Sequence, residues 1–173
     1  MRFQNAKAPE KLPLYIKEEE FYKMLKLVKK RHHKLAFILA FNSGLRISEI
    51  INLKKQDFDL KGKKIFIREG KGGKDRVVPL PKGFPTYYLD EIPLKCGVRA
   101  LQIAFKHYIK RAGIDQEGLH FHNLRHSFAV RCLDRGMPTN YLQTLLGHAN
   151  LSTTSIYTKA NPKDALNSYE KIW

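Results

Sequence analysis

Residues 121–130, FHNLRHSFAV, place a cation where a helix should bury hydrocarbon. At roughly 100° per residue, Phe121, Arg125, Phe128 and Cys132 share one stripe, with Leu124 close beside it. A guanidinium on an apolar stripe is costly unless an anion meets it there. His122 and His126 lie on the flank of the same stripe. The stretch therefore reads as a core helix that aims an arginine at something negatively charged.

The composition says what kind of anion to expect. Lys and Arg together number 32 against 16 Asp and Glu, a formal charge of +16, which points to a polyanionic partner, most simply nucleic acid. A length of 173 residues suits one domain with or without a tail, and 43% apolar content excludes a disordered chain. The longest apolar run, LAFILAF at 35–41, is too short to span a bilayer, so no membrane partner is expected. Cys96 and Cys132 show no paired spacing, and the chain opens on no signal peptide. A reducing cytoplasm is the expected setting.

Residues 1–14, with Pro9 and Pro13 among charges, read as a linker or arm. IKEEEFYKMLKLVKK then sets Phe21, Met24, Leu25 and Val28 on one face, acids first and lysines last, as the helix dipole favours. HKLAFILAFNSG continues as a largely buried helix stopped at Asn42-Ser43-Gly44, and LRISEIINLKK follows as a short helix carrying Arg46, Ser48 and Glu49 in its first turn. Next, DFDLKGKKIFIREGKGGKDRVVPLP predicts two or three antiparallel strands around Ile65–Ile67 and Val77–Leu80, with Lys71 in the glycine turn. Residues 81–97 look irregular. VRALQIAFKHYIKRAG sets Val98, Leu101, Phe105, Tyr108 and Ala112 on one face and stops at Gly113.

The helix of the opening stretch stops at Gly136 and Pro138. Thr139 is expected to cap NYLQTLLG, and a further short helical piece is expected near Ser152. Asn161-Pro162 starts a last helix, 161–173, whose Leu166, Tyr169, Ile172 and Trp173 form an apolar stripe. That stripe must be covered, either on its own domain in the free monomer or in trans on a neighbouring subunit. The fold class expected is α+β, mostly helical with a small antiparallel sheet.

Three chemistries compete for these residues. His120, His122 and His126 have spacings that could hold zinc, but no carboxylate accompanies them and Arg125 would repel a cation. Asp57 and Asp59 could be a metal-carboxylate pair, although residues at a strand start usually face solvent. MPTNYLQTLLGHANLSTTSIYTKA can be read as a helix-turn-helix, a DNA-binding module without catalysis; that reading leaves Arg46, Lys71 and Arg125 unexplained.

Another reading takes them together. GLRISEI (44–50), GKGGKDR (70–76), HNLRHSF (122–128), LLGH (145–148) and LSTTSIYT (151–158) occur in that order. Jointly they resemble the catalytic domain of the tyrosine recombinases, the lambda-integrase and Xer family, over roughly residues 12–171. The resemblance implies site-specific breakage and rejoining of double-stranded DNA through a 3′-phosphotyrosyl bond, in a homo-oligomer on DNA, a tetrameric synapse. A type IB topoisomerase-like relaxing enzyme shares the same chemistry.

It also implies roles. Arg46 and Arg125 become a phosphate clamp, with Glu49 three positions after the first arginine. His122 organises the proton of the nucleophile Tyr157, His148 bonds a nonbridging oxygen, and Lys71, with Lys74 as rival, protonates the leaving oxygen. Neither metal nor other cofactor is implied. Two guanidiniums gripping nonbridging oxygens would stabilise charge that grows in the transition state. Residues 15–160 are then the catalytic domain. Family members usually add an N-terminal helical domain on the opposite DNA face, and residues 1–14 resemble the linker that would follow it.

Overall fold

The computed structural model of the chain describes residues 14–68, 75–114, 116–147 and 162–173. Among these, helices α1 (Glu18–Leu27), α2 (Arg31–Ser43) and α3 (Ile47–Asn52) precede strands β1 (Phe58–Asp59), β2 (Lys64–Ile67) and β3 (Arg76–Pro79). Helices α4 (Val98–Arg111), α5 (His122–Asp134), α6 (Thr139–Leu146) and α7 (Pro162–Ile172) follow. The strands form one antiparallel sheet in the order β1-β2-β3, with Ile65 opposite both Phe58 and Val78. The α+β class read from the sequence is what the chain adopts.

Helix α2 is the centre of the larger core. Leu35, Ala36, Phe37, Leu39, Ala40 and Phe41 are fully buried, and Phe41 stacks on Phe21 of α1. The helix stops at Gly44, whose φ of 69° lies in the left-handed region that side chains resist. A second, smaller cluster gathers Phe128, Cys132, Leu142, Leu145, Leu146, Ala165 and Tyr169. Helix α5 joins the two: Phe121 just before it and Leu124 belong to the first, Phe128 and Cys132 to the second. Arg125 sits at the seam.

The C-terminal stripe is covered by its own domain. Tyr169 is buried and donates its hydroxyl to the Asn42 carbonyl oxygen at 3.1 Å, and Trp173 lies under the guanidiniums of Arg131 and Arg135. At the other end, Leu14 is partly buried against the core and accepts a bond from the Asn123 amide at 2.7 Å. The Ile16 N–H donates to the Ser127 hydroxyl at 2.8 Å.

Several local expectations need correction. Thr139 is the first helical residue rather than the cap: the extended Pro138 precedes it, and no side chain caps the helix. Val98 is exposed, since burial on α4 begins one turn later at Leu101. Residues 81–97 contain a 3₁₀ segment, Thr86–Glu91, which Pro85 precedes and buried Tyr88 anchors against the core. Asp57 does not face solvent; it accepts from the Lys54 N–H and from Arg68 Nε, both at 2.9 Å, and closes the turn into β1. The helical piece near Ser152 and most of the second half of the helix-turn-helix reading lie outside the described residues. Among those residues, no helix is long and apolar enough to cross a membrane.

Gly44 is the tightest of these junctions. A Cβ there would stand 2.6 Å from Phe128 Cδ1 and 3.0 Å from Leu146 Cδ2, besides straining the backbone. Gly44→Ala should therefore lower unfolding stability by about 2–4 kcal/mol, strain and crowding together. Urea denaturation checks this, and a loss under about 0.5 kcal/mol would contradict it.

Candidate active site

Near the start of α5, Arg125 is 3% exposed, yet its guanidinium is not bare: Nη1 donates to the Gly44 carbonyl at 2.7 Å and Nη2 to the Leu146 carbonyl at 2.6 Å. These oxygens end α2 and α6, where unpaired carbonyls and the negative dipole ends favour a cation. Two helix C-termini thus hold the arginine at the seam, and a carboxylate is not what anchors it. Burial, then the charges of Arg46 and Arg76, push its pKa down.

The carboxylate of the site belongs to Glu49. Placed in the first turn of α3, it accepts the Arg46 N–H at 2.7 Å and so caps the helix. It also accepts Arg46 Nη1 at 2.8 Å, and both terminal nitrogens of Arg76 at 2.8 Å each. Arg76 opens β3, and its Nε donates to the Leu145 carbonyl at 2.9 Å. This approach depends on Gly147, where a Cβ would stand 2.8 Å from Arg76 Cδ. Burial alone would raise the Glu49 pKa. Hydrogen bonds and charge from Arg76, and then Arg46, overcome that and hold it at about 2.

His122 completes the described part. It lines a cavity of about 240 Å³ with Arg46, Ser48, Gln102 and His120. Burial, then Arg125, Arg46 and His126, lower its pKa, so the ring is neutral at neutral pH and able to accept a proton. The structure thus brings together Arg46, Glu49, His122 and Arg125. Lys71, Lys74, His148 and Tyr157 lie outside the described residues.

Arg76 is the functional residue that sequence reading misses. Its signal was present: it is the last residue of GKGGKDR and the one cation heading the apolar run VVPL. Three guanidiniums against one carboxylate leave the cluster with surplus positive charge. It can hold an anion and oppose charge building on that anion's oxygens.

The pH dependence of stability follows from Glu49. Its folded pKa lies below its ordinary value of 4.5, so its contribution is full above that value and is lost as pH falls toward 2. Glu49→Gln should remove that contribution, on the order of 3 kcal/mol at pH 7, and flatten the acid limb of stability between those values. Urea midpoints across that range read it. An unchanged acid limb in the variant would contradict the assignment.

Comparison with known proteins shows the family. A family model described as the phage integrase family matches residues 15–97 and 93–164. Tyrosine recombinase XerA of Pyrococcus horikoshii is 36% identical over 188 residues, covering 98% of this chain and 65% of that protein. Among solved structures, XerA recombinase superposes with a TM-score of 0.68 at 26% identity, over 97% of this chain and 66% of that one. XerH site-specific recombinase, bound to difH substrate in a pre-cleavage complex, gives 0.66 at 27%, over 96% and 56%. The chain spans about 65% of the length of the XerA protein it matches. With the family model running through most of its length, the chain belongs to the phage integrase family.

Proposed function

We propose that this chain breaks and rejoins double-stranded DNA at specific sites through a covalent phosphotyrosyl intermediate. The observation that carries this reading is the arginine cluster. A buried, two-carbonyl-anchored Arg125 stands with Arg46 and Arg76 around a single carboxylate, beside a neutral His122. Such an arrangement suits one phosphodiester, whose negative charge must be offset before a nucleophile can approach. The formal charge of +16 suits the rest of the duplex. The similar XerH site-specific recombinase is bound to difH substrate, which supports the same kind of partner here.

In this mechanism Arg46 and Arg125 grip the nonbridging oxygens, while Glu49, itself held by Arg76, keeps Arg46 in place. Tyr157 attacks phosphorus with its phenolic oxygen, and its proton passes toward His122. The bond to the 5′-oxygen breaks, and Lys71 supplies the proton that oxygen needs. His148 adds a hydrogen bond to a nonbridging oxygen. The product is a 3′-phosphotyrosyl bond, and a 5′-hydroxyl from another strand reverses the step. Charge on the phosphate is met by guanidiniums, so the chemistry requires no metal. Recombination further requires copies of the chain to assemble on paired sites, as a tetramer, with α7 exchanging its seat beside Phe128 and Asn42 for one on a neighbour.

The test is capture of an SDS-resistant adduct from a pool of nicked, randomised duplexes, followed by sequencing of the attached DNA. Wild type should yield an enriched site, and Tyr157→Phe should reduce the adduct at least 100-fold while duplex affinity stays within a few-fold. Full adduct from the variant would remove Tyr157 as nucleophile. No adduct from wild type, with duplex still bound, would favour the non-catalytic helix-turn-helix reading. Strand exchange between two copies of the enriched site separates a recombinase from a topoisomerase-like enzyme. Adduct yield should be the same in EDTA; its loss on chelation and return with magnesium would contradict the metal-free mechanism.

A further inference from the structure

We propose that His32, His33 and Cys96, with Glu91 beside them, form a binding site for a thiophilic divalent cation of the zinc type. The three side chains come from two distant parts of the chain. Two stand at the start of α2 and one lies in the loop entering α4, yet one donor atom from each falls within 4.8 Å of the others. Tetrahedral zinc, with bonds of about 2.0 Å to nitrogen and 2.3 Å to sulfur, spaces its ligand atoms about 3.3–3.7 Å apart. Closing the cluster by roughly 1 Å is within the reach of side-chain rotation.

His33 itself points to a ligand. The residue is 8% exposed, and its Nδ1 has no hydrogen-bond partner among the described residues. A buried ring nitrogen left unpaired is costly, and a metal bond would satisfy it. Glu91 Oε2 lies 3.8 Å from His32 Nδ1, where it can serve as a fourth donor or hold that ring by its second nitrogen.

Charge decides which donor matters most. Lys29, Lys30 and Arg31 precede the histidines, and the N-terminus of α2 adds its positive dipole end. Arg31 is drawn off over the Tyr87 ring, 5.6 Å from its centre. A cation is therefore admitted only with negative charge from the ligands, which Cys96 as thiolate and Glu91 supply. The site is remote from the arginine cluster: His33 and Gly44 stand at opposite ends of α2, about 16 Å apart at 1.5 Å per residue. The ion would brace α2 against the Thr86–Glu91 segment and the entry to α4, without touching the phosphate chemistry.

Cobalt titration of the chelator-stripped full chain tests the site. One equivalent should bind, with a near-ultraviolet thiolate-to-cobalt band that zinc abolishes. Cys96→Ser should remove the band, and His33→Gln should weaken binding roughly tenfold or more, both folded by circular dichroism. Should either variant fail to fold, wild type alone decides. Zinc should slow alkylation of Cys96 at least tenfold in peptide mass spectra, with fully buried Cys132 as the internal reference. Absence of the band, a band surviving in Cys96→Ser, or alkylation of Cys96 indifferent to zinc would each overturn the proposal.

Discussion

One hydrogen-bonded fork organises this domain. Arg125 reaches from α5 to the last carbonyls of two other helices, Gly44 closing α2 and Leu146 ending α6. Those carbonyls have no partner within their own helices, and the guanidinium satisfies both at once. Phe121 and Leu124 anchor one end of α5 in the larger core, and Phe128 and Cys132 anchor the next turns in the smaller one. The arginine therefore lies where two apolar clusters meet, and packing on either side fixes its aim. A flexible surface arginine would have to lose side-chain freedom at the moment of binding; this one has lost it on folding.

The second constraint is electrostatic. Arg125 is buried with Arg46 and Arg76 close by, and burial first, then the charges of those two arginines, lower its pKa. Glu49 makes the cluster tolerable. With one carboxylate it caps α3, holds Arg46 and receives the Arg76 fork. It offsets only part of the charge, so the remainder is available to an anion. Stability and function pull in opposite directions here: a second carboxylate would steady the fold and quench the site.

The sequence made some of this legible and hid the rest, for physical reasons. The helical period exposed the anomaly of Arg125, since one charge on the stripe Phe121–Phe128–Cys132 has few explanations. Capping chemistry likewise pairs Arg46 with Glu49 across three residues. Arg76 was harder: its partner Glu49 lies 27 residues away on another element, and local pattern cannot report such a bond. The anchoring of Arg125 on backbone carbonyls is invisible for a similar reason, because every residue has one. His32, His33 and Cys96 meet only through tertiary packing, so neither their spacing nor the isolation of Cys96 from Cys132 announces them. Val98 and Asp57 mislead in the opposite sense, the first lying before the packed turns of its helix and the second drawn inward by Arg68.

The central claim is that the Arg125 fork meets the phosphate that is cut. Single-turnover formation of the covalent adduct on the enriched duplex, compared between wild type and Arg125→Lys, tests it most directly. Lysine keeps a positive charge, but its single nitrogen cannot take the place of a planar fork whose separate nitrogens reach the two carbonyls and leave further donors for a phosphate. The account predicts a rate at least 100-fold lower in a chain that still folds and binds duplex within a few-fold. A folded Arg125→Lys chain that forms the adduct within threefold of the wild-type rate would contradict it.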